Sequence, residues 1–150
     1  MRLRPVTLDD ADILLAWRND PEVRAASRST DEVTMAEHEA WLMRMLESPL
    51  SWLFIGVDEE EQPVGHTRVV EEGRYAEVSI VVAPHARGRG LGGQLLNLTH
   101  NAYAAGGGDC ELRAFVRVSN DPSHRLFLST GYVADVVTDM GTLYAWSGRD

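Results

Sequence analysis

The sequence predicts an α+β fold of the α/β class, with a mixed, mostly antiparallel central sheet of about seven strands flanked by helices. Three observations carry this. Segments of period 2 and period 3.6 follow one another in the order β-α-α-β-β-β-α-β-α-β-β. Three of the strands are consecutive in mid-chain, which sets up antiparallel neighbours. The third of them then leads through a long helix into another strand, which gives one parallel crossover.

Leu3 to Val6 reads as the first strand. Thr7-Leu8-Asp9-Asp10 has the form of a capping box and opens a helix with Ile13, Leu14 and Trp17 on one face. That helix stops at Asn19-Asp20-Pro21, and a looser segment runs from Glu22 to Asp31. A second capping box, Thr34-Met35-Ala36-Glu37, starts a helix carrying Trp41, Leu42, Met45 and Leu46 that ends near Ser48-Pro49. Trp52 to Val57 and Val64 to Val70 are strands joined by an acidic turn, and Glu72-Gly73 turns the chain into a third, Tyr75 to Val82. A helix from about Leu91 to Ala105 follows, closed by Gly106-Gly107-Gly108-Asp109, and Glu111 to Val118 returns as a strand. Pro122 to Thr130 is a short helix with proline in its first turn, where no donor is lost. Val133 to Val137 and Thr142 to Trp146 form a closing hairpin.

The chemistry concentrates between the third mid-chain strand and the long helix, in Val81-Val82-Ala83-Pro84-His85-Ala86-Arg87-Gly88-Arg89-Gly90-Leu91-Gly92-Gly93. Glycines at 88, 90, 92 and 93 let backbone approach a ligand closely. The helix beyond them points unpaired N–H groups and the positive end of its dipole into the turn, which suits phosphate oxygens. Arg87 and Arg89 add charge. A Walker loop needs Gly-Lys-Ser/Thr, and this chain has no lysine. A dinucleotide fingerprint opens the first strand–helix unit, whereas this loop falls past mid-chain.

Composition bounds the rest. At 150 residues with 44% hydrophobic and 25% charged residues, the chain fits one globular domain, residues 1–150. A net charge of -9 argues against nucleic acid as a partner. No apolar run is long enough for a membrane span, and Met1-Arg2-Leu3-Arg4-Pro5 lacks the apolar core of a signal peptide. The lone Cys110 suits a reducing, cytoplasmic setting and has no marked base beside it. No metal site is expected.

Arg87-Gly88-Arg89-Gly90-Leu91-Gly92, preceded by hydrophobic-Val-x-Pro-x-x-Arg-Gly, resembles the pyrophosphate loop of the GNAT superfamily of acyl-CoA-dependent N-acetyltransferases. The family's last motif is matched by Asn120-Asp121-Pro122-Ser123-His124-Arg125-Leu126-Phe127-Leu128-Ser129-Thr130-Gly131-Tyr132. The likeness covers essentially the whole chain. It implies helices on both faces of the sheet and a splay between the fourth and fifth strands where the pantetheine arm of acetyl-CoA lies along Val81 and Val82. It also implies loop amides from Arg87 to Gly93 on the pyrophosphate, and Asn120, Ser123 and Phe127 against the cofactor. Asn120 reads equally as the cap of the helix that follows it. The family's oxyanion donor is a backbone N–H, here that of Val82, and Glu77 is the candidate base. Burial of Glu77 would raise its pKa toward the working range, whereas strand alternation also allows it to face solvent with Ser79 and Val81. The family's general acid is a tyrosine where this chain has Phe127, which cannot donate a proton. Ser123 replaces it, or His124 or Tyr132 does, or the thiolate leaves unassisted, or the chain binds CoA without turnover.

Trp17-Arg18-Asn19 with Val23-Arg24, followed by Glu37-His38 and Trp41, resembles the branch that acetylates nucleotide-linked amino sugars, of the pseudaminic-acid pathway type. That resemblance implies a small amine acceptor held by Trp17, Arg18, Asn19, Arg24 and His38, with arginines clamping a diphosphate. Trp17 and Trp41 also read as core residues on apolar helix faces, and His38 as a surface residue. Related arrangements occur in acetyltransferases of polyamines, antibiotics and protein N-termini. A monomer or homodimer is expected.

Overall fold

The computed structural model describes residues 1–146. Its seven strands are β1 (Arg2–Pro5), β2 (Ser51–Val57), β3 (Pro63–Glu72), β4 (Tyr75–Val82), β5 (Glu111–Arg117), β6 (Tyr132–Val137) and β7 (Gly141–Trp146). They form one sheet in the order β1-β2-β3-β4-β5-β7-β6, in which β4–β5 is the parallel pair and the others are antiparallel. The helices are α1 (Ala11–Arg18), α2 (Pro21–Ala26), α3 (Met35–Glu47), α4 (Leu91–Ala105) and α5 (Asp121–Ser129). The expected class, strand number and crossover all hold.

Two cores lie on opposite faces of the sheet. Leu53, Ile55 and Val57 of β2 pack with Leu14, Trp17 and Leu42 of α1 and α3. Val69, Ala76 and Val78 pack on the other face with Leu96 and Tyr103 of α4 and Phe127 of α5. Leu42, Leu95 and Leu96 are fully buried, and truncating any one to alanine removes roughly 2–5 kcal/mol.

Local sequence explains the helix starts. Thr34 Oγ1 accepts the Glu37 amide at 3.2 Å and donates to the Glu37 carboxylate at 2.9 Å, which opens α3. The Thr7 amide donates to Asp10 at 2.9 Å, but Leu8–Asp10 forms a single 3-10 turn before α1 begins at Ala11. The segment expected to be loose from Glu22 holds α2 instead. Asn-Asp-Pro ends α1 and starts α2 together: Asp20 accepts the Val23 amide at 3.4 Å and Pro21 occupies the first turn.

Candidate active site

The ladder between β4 and β5 runs from Tyr75–Glu111 to Glu77–Arg113 and stops there, although both strands continue. β4 stays on β3 as far as Val82, while β5 pairs with β7. Antiparallel pairs alternate between those that exchange hydrogen bonds and those that do not. The Ala83 amide donates to the Val64 carbonyl at 2.8 Å, so odd-numbered residues of β4 bond to β3 and even-numbered ones face β5. Ile80 and Val82 therefore present N–H and C=O groups to the opening, with no ladder partner among the described residues. Such an edge can accept an extended amide-bearing chain as an added strand does. Val81, expected beside Val82 on the cofactor, turns its backbone to β3. Ile80 was not expected, and the alternation is the signal that finds it.

Beyond Val82 the chain enters the glycine loop. Gly88 and Gly90 take φ of 76° and 73°, a left-handed conformation that favours glycine, and nothing lies within 4 Å of where a Cβ would stand. Gly90 precedes α4 without any side-chain cap, so the first-turn amides stay open toward the loop. Gly92 matters for packing as well, since a Cβ there would sit 3.1 Å from Leu126, so its absence lets α4 and α5 close. Arg89 is exposed and makes no ion pair among the described residues. Arg87 differs from its expected role. Its guanidinium is bound to Asp20 and Glu22, each at 2.9 Å, and the Arg87 hydrogen bond holds the Asp20 pKa below the ordinary carboxylate value.

Along α5, Asn120 accepts the Ser123 amide at 3.4 Å as a helix cap. Ser123 is part-exposed on the first turn. Phe127 is buried, edge-on to Tyr132 at 4.9 Å and stacked at 6.2 Å on Tyr144. Tyr132 is removed as a proton donor: its hydroxyl is buried against His100 Nε2 at 2.8 Å, and burial raises its pKa. His124 Nε2–H donates to the Arg117 carbonyl at 2.8 Å, and Nδ1 meets the Tyr144 hydroxyl at 2.6 Å, so both ring nitrogens are engaged.

On the face that carries α1 and α3, an open groove of about 200 Å³ lies over β3 and β4, lined by Trp41, Met45, Arg68, Glu77 and Ser79 among others. The Arg68 guanidinium lies 5.2 Å from the Trp41 ring centroid, and its Nη2 is 3.3 Å from Ser79 Oγ. Glu77 faces this groove at the end of the β4–β5 ladder. Its carboxylate pairs with Arg28 at 3.2 Å, and its side chain is 41% exposed, so of the two readings left open it takes the solvent-facing one. Arg28 also lies 5.2 Å over Phe115 of β5, so it spans the mouth of the splay. At about 3.3 Å per residue, Glu77 is about 10 Å along the strand from Ile80 and about 17 Å from Val82.

The acceptor residues inferred from the first two helices are placed differently. Trp17 is 6% exposed in the core between α1 and the sheet, which corrects its assignment to the acceptor. Trp41 packs against the same core, as expected, and its part-exposed side also forms a wall of the groove. His38 is buried rather than superficial; its ring stacks on Trp41 at 5.6 Å, and burial lowers its pKa. Arg18, Asn19 and Arg24 converge on the backbone of the loop after α2. Arg18 Nη2 donates to the Ser29 carbonyl at 2.9 Å and Arg24 Nε to that of Thr30 at 3.1 Å. The Asn19 amide brackets Val33 with two bonds of 2.8 Å, and Arg117 of β5 reaches the Ser27 carbonyl at 2.8 Å. These side chains hold in place the loop that carries Arg28 to Glu77.

A split sheet edge, an uncapped helix start and a carboxylate in an adjoining groove can hold an acyl carrier on one side and an amine on the other. The family model described as acetyltransferase (GNAT) domain matches residues 1–133. No curated protein matches the sequence at a significant level. Among solved structures, the spermidine N-acetyltransferase of Vibrio cholerae, in complex with CoA and spermine, is similar at a TM-score of 0.81 and 17% identity over 95% of this chain and 91% of that one. A domain from Methanocaldococcus jannaschii gives 0.82 and 21% over 95% of each chain. An aminoglycoside acetyltransferase in complex with coenzyme A gives 0.78 and 17% over 96% and 92%.

Proposed function

This chain belongs to the GNAT acetyltransferase domain family, whose co-substrate is acetyl-CoA, and on that premise we propose that it acetylates the primary amine of a nucleotide-linked amino sugar. The observation that carries the acyl-transfer reading is the end of the β4–β5 ladder at Glu77–Arg113, which leaves Ile80 and Val82 facing a slot that opens on the loop before α4. Loop amides from Gly88 to Gly93, with Arg89, hold the pyrophosphate. Asn120 and Ser123, at the start of α5, are our candidates for the pantetheine arm, whereas Phe127 is buried in the core. When bound, acetyl-CoA supplies an activated acyl thioester.

The protein's own groups then have defined roles. Transfer forms a C–N bond and breaks a C–S bond, so the amine must give up a proton and the thiolate must depart. Glu77 accepts the proton, directly or through one water, given its distance from Ile80. The N–H groups of Ile80 and Val82 are the donors available to developing negative charge on the carbonyl oxygen. Phe127 offers no proton, and a thiol with a reference pKa of about 8.5 leaves acceptably as the anion.

The acceptor class rests on the resemblance of Trp17 to Trp41 to the amino-sugar branch and on the open groove beside Glu77. The polyamine and aminoglycoside acceptors named for the similar structures are the competing classes, with protein N-termini a third. A single domain over residues 1–150, a cytoplasmic setting and a nucleic-acid-free function accompany this reading. Phe127 favours one alternative, a CoA-binding module without turnover. Thiol release from acetyl-CoA against a UDP-linked 4-amino sugar, spermidine, kanamycin and a short peptide separates them. The amino sugar should be the best acceptor by kcat/KM. A better rate with any other amine overturns the acceptor class, and CoA binding with no thiol release from any of the panel favours the silent module.

A further inference from the structure

The groove beside Glu77 is lined by Arg68 together with Glu72 and Glu77. Arg28 and Arg18 lie near enough for their charges to act on Arg68. Arg28 already takes Glu77. Arg68 makes no ion pair among the described residues. It has one hydrogen bond, to the neutral Ser79 hydroxyl, and lies against Trp41. Arg18 is short of a partner too: its Nη1 is buried with no hydrogen bond among the described residues. Withdrawing an unpaired guanidinium from water is unfavourable unless a counter-charge completes the site. Burial lowers the Arg68 pKa; the Glu77 charge opposes this, and the charges of Arg28 and Arg18 add to it. The guanidinium fork fits carboxylate or phosphate oxygens in a planar, bidentate contact.

We propose that the acceptor carries an anionic group, a carboxylate or a phosphate, close to its reacting amine, and that Arg68 binds that group while Glu77 serves the amine. This rests on the groove being the acceptor site. Arg68 stands opposite Ser79 and Val70 opposite Glu77 in the β3–β4 register, so Arg68 and Glu77 are diagonal neighbours on one face, about 7 Å apart. An α-amino acid or an amino sugar bearing a phosphate spans that separation. A polyamine would place an ammonium group against the Arg68 guanidinium, so polycations should be poorer acceptors.

Calorimetry on the full chain saturated with CoA, so that the pyrophosphate loop is filled, tests this. The probes are two matched pairs, glucosamine with glucosamine 6-phosphate and alaninamide with alanine, together with spermidine. The anionic member of one pair should bind at least about tenfold more tightly than its uncharged partner, and the pair that shows it identifies phosphate or carboxylate as the anion. Arg68→Gln should abolish the preference and Arg68→Lys should keep part of it, with melting temperatures reporting that each variant is folded. Wild-type protein that binds spermidine or the uncharged partners as tightly as the anionic ones overturns the proposal, whether or not Arg68→Gln folds. A folded Arg68→Gln that keeps the preference overturns it as well. Thiol release is read in parallel samples with acetyl-CoA in place of CoA and with the UDP-linked amino sugar added to the probes: an anion preference with no acetylation of any amine keeps the Arg68 site and rejects the acetyl-transfer reading.

Discussion

Replacing Glu77 by glutamine removes one charge while keeping shape, and the structure lets its effects be separated. The Arg28–Glu77 pair is exposed, with side chains 65% and 41% accessible. Such pairs contribute about 0–1 kcal/mol, which shifts the melting temperature of a domain of this size by no more than about 4 °C. CoA affinity should not change, because Glu77 points into the α3 groove and not into the β4–β5 slot. Turnover should fall by roughly 10², about 2.7 kcal/mol of barrier. The assay is thiol release at saturating acetyl-CoA, with CoA affinity measured separately. Arg28→Gln is the control: if Glu77 merely anchors Arg28, the two variants behave alike. Unchanged turnover in Glu77→Gln would refute the base assignment.

Gly90→Val forces a β-branched residue into a left-handed φ of 73° at the start of α4; CoA affinity should drop at least about tenfold, and unchanged calorimetric affinity would count against the loop as the pyrophosphate site. Burial holds the His66 pKa down to about 4, against about 6.5 unfolded. Its stabilising contribution is therefore complete above about pH 6.5 and lost as pH falls toward about 4, so denaturant midpoints should decline across that window by the equivalent of about 2–3 kcal/mol, less so in His66→Gln. Ser123→Ala should slow turnover by about 10² or more if its hydroxyl protonates the thiolate, and Phe127→Tyr should then restore much of the rate; no effect of Ser123→Ala when chemistry is rate-limiting leaves unassisted departure.

Much of the fold was legible because its signals are local. Capping residues, proline in first turns and period-2 strands placed the expected elements to within a few residues. The exception is α2, where Asp20-Pro21 serves as both stop and start, and a sequence scan for breakers registers only the stop. The register that ends the β4–β5 ladder at Glu77–Arg113 is a tertiary property. Local sequence carries no trace of it, and only the family resemblance pointed to a splay.

The two halves of the site differ in legibility for a physical reason. The proposed cofactor half is built from backbone, and backbone geometry is encoded by glycine, proline and strand period, so the left-handed turns at Gly88 and Gly90 could be read from residue type, whereas Val82 came only from the family resemblance. The acceptor half is built from side chains whose direction depends on which helix face meets the sheet. Trp17 and Trp41 have the same chemistry and similar helical contexts, yet α1 packs Trp17 into the core while α3 leaves Trp41 at the groove edge. Arginines are the most ambiguous, since one long side chain can clamp a ligand or a carbonyl. Arg18 and Arg24 bind loop carbonyls, Arg87 binds the start of α2 at Asp20 and Glu22, and Arg68, which no motif marked, has no carboxylate partner among the described residues. The same contacts join the halves mechanically. Arg87 ties the pyrophosphate loop to Asp20 and Glu22 of α2, and the loop after α2 delivers Arg28 to Glu77.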